Sequence, residues 1–500
     1  MNKKESICRF LVKFADKINF KTMNKRLLPL AVLFSTIWLL TSCLKNDDAD
    51  MDYPHDTAIT AFSLGTLNRY QTTLSSKGVD STYRTTVEGK QYGFSIDQNN
   101  ALIFNADSLP YGVDAKKVVC NITSKNSGMI LIKSMTSDSL RLYAATDSVD
   151  FSVPRVIRVY SSSQEQFRDY TIRLNVHQEK ADEMKWNLVG TQSQLANLTA
   201  MKAVTVTRQL YVFGLENGQT TVYSAASSAA AQWQKLTPNV VLDANAYKNV
   251  AVFQGKLYLL NGTTVLSSAD GKTWNSVAAV DANIQSLVAV SGLGVHLLGT
   301  DAKIYLLKHG ETQLAPEALD AAGSYLPADN WNAVVLKAES GTKENVLLIG
   351  NRSVGAYAGD AHAVVWNRLI LDAANALAEP WSYYAAEGQY ALPRLVNLQV
   401  VGYDGGLLAL GGAGLGAAKQ KAFEHFYYSG DGGLTWKNNA VYQLPKAFNS
   451  SDTAFAMTVD ADNNIWMVCG GTGQVWKGRK NSAGWQKTDT VFTSSSSSGN

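Results

Sequence analysis

From about Thr57 to Gln178 apolar and polar residues alternate with a period of two. Val153-Pro154-Arg155-Val156-Ile157-Arg158-Val159-Tyr160 and Tyr170-Thr171-Ile172-Arg173-Leu174-Asn175-Val176 show it most clearly. Side chains two apart share one face of a strand, so the pattern predicts half-buried antiparallel strands. Ser161-Ser162-Ser163-Gln164-Glu165 is polar and predicts the turn between them. The charged stretch Glu179–Lys185 breaks the alternation and is read as a linker, 179–185.

From Trp186 onward a longer period takes over. Arg208-Gln209-Leu210-Tyr211-Val212-Phe213-Gly214 matches Gly255-Lys256-Leu257-Tyr258-Leu259-Leu260-Asn261. Each is followed by a second strand, Thr220–Ser224 or Thr263–Ser267, and then by a Trp, Trp233 or Trp274. Looser copies centre on Val295, Val346, Leu407 and Ile465, giving spacings of 47, 38, 51, 61 and 58 residues from Leu210. A unit of that size accommodates four short strands, which cannot bury both faces alone. Stacked radially, such units bury each other and leave few open edges. The expected architecture for 186–490 is therefore a β-propeller of six blades. Trp186-Asn187-Leu188-Val189 resembles the strand after Trp274 and is either a ring-closing strand or the remnant of a seventh blade.

Two segments carry a sharper signal. Ser429-Gly430-Asp431-Gly432-Gly433-Leu434-Thr435-Trp436 is echoed by Ser268-Ala269-Asp270-Gly271-Lys272-Thr273-Trp274. Asp can accept hydrogen bonds from turn amides, Gly supplies positive φ, and Thr and Trp suit a following strand. The pattern resembles the Asp-box of sialidase-like β-propellers. The resemblance implies that Ser268, Asp270, Gly271, Thr273 and Trp274, and likewise Ser429, Asp431, Gly433, Thr435 and Trp436, are structural. The segment 57–178 fits an immunoglobulin-like sandwich, and Asp169–Leu174 looks like the last strand of such modules in secreted bacterial proteins. The fold class expected is all-β throughout.

The N-terminal stretch is an address rather than a structure. Lys25-Arg26 precede an apolar run of 14 residues, Leu27–Leu40, which ends in Leu40-Thr41-Ser42-Cys43. The run is short for a membrane span. The layout resembles a bacterial lipoprotein signal over 1–42, with translation starting at Met1 or Met23, and it implies lipidation of Cys43. Residues 43–56 then form a flexible tether, whose Lys45 and Asp47-Asp48 resemble the export signal of surface-exposed Bacteroides-type lipoproteins. Residues 1–42 hold eight Lys/Arg and two Asp/Glu, so the overall +3 becomes about −3 beyond them. The basicity belongs to the signal, and no nucleic-acid partner is expected. The Ser-rich tail 491–500 is read as disordered.

Candidate chemistry is sparse. Sialidase-like enzymes resemble one another in an Arg triad, a Tyr/Glu pair and an Asp acid/base. Residues 186–500 contain Arg208, Arg352, Arg368, Arg394 and Arg479, and no Phe/Tyr-Arg-Ile-Pro segment precedes the first Asp-box. Six scattered His and four Cys give no ligand-spaced set, so neither metal nor cofactor is expected. Cys120 and Cys469 are read as free buried thiols. The aromatic insertion Glu379–Tyr390 offers Trp381, Tyr383, Tyr384, Glu387 and Tyr390 as candidate binding residues, with packing onto the ring as the alternative. A second insertion, His309–Trp331, carries Glu311, Glu317 and Asp320. The expected function is that of a non-catalytic outer-membrane lipoprotein. It would be anchored to the membrane through lipid and would bind a glycan or an envelope protein. The alternative is a glycan-active hydrolase of the sialidase-like class.

Overall fold

The computed structural model describes residues 54–74, 80–338, 342–353, 355–385 and 388–482. The signal, Cys43, the tether before residue 54, Glu387 and the Ser-rich tail lie outside the described residues. The chain forms two compact units that interleave in sequence. The first takes its described residues from 54–63, 96–103 and 119–173; the second takes 64–95, 104–118 and 174–482.

Two strands of the first unit, Ile130–Lys133 and Arg155–Tyr160, follow the period-two alternation throughout. In Arg155–Tyr160 every second residue is buried, beginning with Arg155, Ile157 and Val159. It pairs antiparallel with Phe167–Arg173, Tyr160 facing Phe167, across the turn at 161–166. Buried Arg155 is tolerated because Nη2 donates to Lys133 O at 2.8 Å and Nη1 to Asp150 O at 3.4 Å. Phe62 meets Phe151 edge-on at 6.3 Å in its core. Cys120 is free and buried there, as Cys469 is in the second unit.

The second unit contains six consecutive antiparallel sheets between residues 184 and 480. Their first strands are Met201–Val206, Val250–Phe253, Ile284–Val290, Asp329–Lys337, Gln399–Tyr403 and Phe455–Val459. We call the sheets A to F in that order. Each runs outward in sequence order from its first strand. Sheet D gains Ser382–Tyr384 as an extra strand on Val364–Asp372. Sheet F takes its outermost strand from far upstream: Met184–Thr191 pairs with Gln474–Lys480. Trp186 lies opposite Gly478 in that pairing. A Cβ on Gly478 would sit 2.2 Å from the Trp186 ring, so only glycine fits.

First strands contact one another in order from A to F, and F contacts A. The apolar cores follow the same circuit. Separate clusters lie between A and B, B and C, C and D, D and E, E and F, and F and A. Tryptophans mark most of them: Trp274 in A/B, Trp366 in C/D, Trp436 in D/E, Trp476 in E/F, and Trp233 and Trp466 in F/A. Their large apolar surfaces fill the wedge between neighbouring sheets.

Polar side chains stitch the same seams near the axis. Lys202 Nζ of A donates to Lys248 O ahead of B at 3.2 Å, and Leu287 N of C donates to Asn249 Oδ1 at 3.1 Å. Trp331 Nε1 of D donates to Leu287 O at 3.2 Å, and Val400 N of E donates to Asn332 Oδ1 at 3.0 Å. Asn397 Nδ2 donates to Phe455 O of F at 2.8 Å, and the Thr205 and Thr458 hydroxyls join F to A at 2.9 Å.

Candidate functional site

The six first strands surround a cavity of about 630 Å³. Runs of consecutive residues line it, such as Lys202–Thr205, Val250–Val252 and Asn332–Lys337. A sheet facing the cavity would present alternate residues. Consecutive residues mean that each sheet presents an edge, so unpaired backbone N–H and C=O groups point inward between short aliphatic side chains. The charged side chains on the lining are Lys202, Lys337 and Asp404, and it holds no arginine. Asp404 accepts hydrogen bonds from Tyr442 Oη at 2.6 Å and from Lys480 Nζ. Lys337 lies 3.5 Å from Glu344. Burial pushes the Lys202 ammonium down to about 8.

The five arginines do not converge on this cavity. Arg208 is exposed beside Asp462. Arg352 makes a bidentate pair with Asp360 at 2.8 and 2.7 Å. Buried Arg394 donates to Tyr357 O and Arg352 O, and buried Arg479 lies in the outer half of sheet F. Arg368 lies 3.0 Å from Glu317.

Both eight- and seven-residue motifs form turns between the third and fourth strands of their sheets, B and E. Asp270 Oδ1 accepts from Lys272 N at 2.8 Å and Thr273 N at 2.7 Å, while Ser268 Oγ accepts from Gly271 N at 2.9 Å. Asp431 repeats this with Thr435 N at 2.9 Å and Thr435 Oγ1 at 2.6 Å, and Ser429 Oγ accepts from Gly433 N at 2.8 Å. The backbone bonds of Thr273 and Lys272 hold the Asp270 carboxyl below its ordinary range. At Asp431 partial burial acts upward, and the bonds from Thr435 and Ser429 outweigh it. Gly271 and Gly433 have φ of 71° and 94°. Each indole N–H closes its own turn, Trp274 on Gly271 O at 3.1 Å and Trp436 on Gly433 O at 3.0 Å. The buried indoles and the bonds that the carboxylates accept from their own turns hold the two hairpins closed.

The aromatic insertion divides. Trp381 is fully buried, which corrects the expectation of an exposed stacking residue. Its Nε1 donates to Glu317 Oε2 at 2.8 Å, so the two insertions are tied together through it. Tyr383 is half-buried, stacked on Tyr325 at 4.7 Å and tilted against Trp366 at 5.3 Å. Tyr384 is half-buried opposite Val365. Among the described candidates Tyr390 alone is open, 48% exposed, with Lys437 Nζ 5.5 Å from its ring centre.

Glu317, named from the sequence only as part of the second insertion, sits at the centre of a polar network. His296 Nδ1 lies 2.7 Å from Glu317 Oε2, and His296 Nε2 lies 2.7 Å from Ser291 Oγ. The order Ser–His–Glu matches a nucleophilic triad. Ser291 and His296 are completely buried, however, and Ser291 Oγ also accepts from Leu293 N at 3.2 Å. No substrate reaches that hydroxyl, so the network is a packing device. Burial acts to raise the Glu317 carboxyl, but His296, Arg368 and Trp381 outweigh it and hold the group low. The insertion points to Glu317, and a histidine inside the apolar strand Gly294–Gly299 is the other available signal, but nothing in the sequence joins the two. Among the described residues no cluster of His, Cys, Asp and Glu could hold a metal ion.

The family model described as the DUF6242 beta propeller domain matches residues 180–488. The model described as the domain of unknown function (DUF6242) N-terminal domain matches 62–174. No curated protein matches the chain. Among solved structures, a structural genomics protein of unknown function from Bacteroides thetaiotaomicron VPI-5482 is similar at 10% identity. It covers 72% of this chain and 94% of that one, with a TM-score of 0.35. A Trichoderma reesei protein of Carbohydrate-Active Enzymes Family AA12 aligns at 11% identity over 60% and 96%, with a TM-score of 0.38. A gluconolactonase from Xanthomonas campestris aligns at 14% identity over 59% and 95%, with a TM-score of 0.34.

Proposed function

The chain belongs to the DUF6242 beta propeller family, and from that premise we propose a non-catalytic binding protein of the bacterial cell envelope. On this reading sheets A to F are six blades, Met184–Thr191 closes the ring, and an Ig-like module precedes it. The two hydrogen-bonded turns are Asp-boxes in degenerate repeats. Cys43 carries the lipid that anchors the protein to the outer membrane, and the chain engages a glycan or an envelope protein.

One observation carries the non-catalytic reading. The axial cavity offers a single lining carboxylate, Asp404, already bound by Lys480 and Tyr442, and no arginine. Hydrolysis of a glycosidic bond ordinarily needs two carboxyl groups facing the same bond, and a sialidase-like site needs a cationic clamp for its substrate. Support for surface binding comes from Tyr390, whose exposed ring lies beside Lys437. An exposed aromatic beside a cation is suited to a sugar face or an acidic protein loop.

A glycan array probed with the full chain, beside Tyr390→Ala, tests the binding role. Binding by wild type and loss in the variant is the expected result. Cleavage of a fluorogenic glycoside panel would favour the hydrolase alternative. For the anchor, Cys43→Ala is expected to move the protein from the membrane fraction to the soluble one; retention of that variant in membranes would overturn lipidation.

A further inference from the structure

Three charged side chains line the axial cavity, and two have partners. Glu344 faces Lys337, and Lys480 faces Asp404. Lys202 differs. Among the described residues no carboxylate stands within ion-pair distance of it, and its Nζ makes one hydrogen bond, to Lys248 O at 3.2 Å. An ammonium has three donors, so most of its capacity is unused. Desolvation is the sole influence on its pKa, which falls to about 8. Lys202 is half-buried on the cavity lining, and a partly desolvated ammonium with no carboxylate partner gains from an anion that enters the cavity.

We propose that the axial cavity binds a small carboxylate, with Lys202 Nζ as its counter-charge. One unpaired ammonium matches the single charge of a carboxylate. A phosphate monoester carries nearly two charges and is ordinarily held by arginines or a helix N-terminus, and neither lines this cavity. The inward-facing backbone edges supply donors and acceptors for hydroxyl or amide groups of the ligand, and Val204, Ala251, Val335 and Val459 offer short apolar surface. A volume of about 630 Å³ lies within the range of small-molecule sites. This site lies on the axis of the sheets and is independent of binding through Tyr390.

The test is isothermal titration calorimetry of the full-length protein with hexanoate, glucuronate and inorganic phosphate, repeated on Lys202→Met and Lys202→Arg. At least one carboxylate is expected to bind wild type, to bind K202M at least about tenfold more weakly, and to be largely retained by K202R. Thermal unfolding establishes that each variant is folded, and Lys202→Gln replaces K202M if that variant is not. Absence of binding by both carboxylates, equal binding by K202M, or a preference for phosphate would each overturn the proposal. Tyr390→Ala leaves carboxylate binding unchanged if the two sites are separate, so the axial and surface sites fail independently.

Discussion

At the scale of single residues, Lys202 makes the most testable claim on stability. Its pKa falls from 10.5 to about 8 on folding because burial disfavours the charged form. Below pH 8 both folded and unfolded chains hold the proton, and the folded state bears the full desolvation cost. Between about 8 and 10.5 the unfolded chain is still protonated while the native amine is neutral, so stability rises with pH across that window. The shift corresponds to about 3 kcal/mol at most. The lysine is only half-buried, so solvent moderates this to on the order of 1–2 kcal/mol. Lys202→Met is therefore expected to raise the unfolding midpoint at pH 7 and to lose that advantage by about pH 10.5. Parallel melting curves at the two pH values check it, and an unchanged midpoint at pH 7 would place the amine in water. The turn aspartates behave in the opposite sense. Asp270 and Asp431 are held low in the folded state, so their contribution is present above the ordinary carboxyl pKa and is lost as pH falls through the native one.

At the scale of elements, Glu317 shows how an insertion is fastened. It follows the last strand of sheet C and reaches His296 in C, Arg368 in D and Trp381 in the aromatic insertion. Backbone bonds complete the tie, Trp381 N to Ala318 O at 2.9 Å and Asp320 N to Trp381 O at 3.0 Å. Glu317→Ala removes the partner of buried His296, of half-buried Arg368 and of the Trp381 indole, a loss on the order of 3 kcal/mol. Glu317→Gln keeps volume and one acceptor and costs less. Hydrogen exchange at the Trp381 and Asp320 amides is the discriminating measurement: both are expected to open in Glu317→Gln while sheet A stays protected. Unchanged exchange would mean that the insertion is held by its apolar contacts alone. The same contrast explains what was legible in the sequence. The motif turns were readable because the bonds that their Asp and Ser side chains accept join residues at most four apart, so spacing encodes the turn itself, whereas the bonds that tie the turns to Asn239 and Tyr390 were not. The alternation in Arg155–Tyr160 was readable for the same local reason. Trp381 and Glu317 lie 64 residues apart and His296 and Glu317 lie 21 apart. Nothing local distinguishes a tryptophan that stacks on a ligand from one that closes a buried network. The unpaired state of Lys202 was equally hidden, because it depends on which six strands meet at the axis.

At the scale of the whole molecule, the decisive element is the one furthest from its sheet in sequence. Met184–Thr191 supplies the outer strand of sheet F, and its partner Gln474–Lys480 stands nearly three hundred residues later. Trp186 stacks on Phe426 at 6.2 Å and donates to Gln443 O at 2.6 Å, so the strand also reaches sheet E. Removing residues 1–191 would leave Gln474–Lys480 as an unpaired edge and uncover part of the E/F core, and exposed edges invite pairing with other chains. That deletion is expected to associate in light scattering and to unfold at a lower temperature than the fragment 174–500. A peptide of residues 182–192 added in trans should restore part of the loss, because the pairing is made by backbone groups and needs no covalent continuity. Gly478→Val in the full chain provides the finer test. Its side chain would meet the Trp186 ring, so the outer strand should detach while sheets A to E remain protected in hydrogen exchange. A truncated chain that stays monomeric with an unchanged midpoint would mean that the inner contact of sheet F with sheet A holds the circuit by itself, and that the N-terminal strand is an accessory.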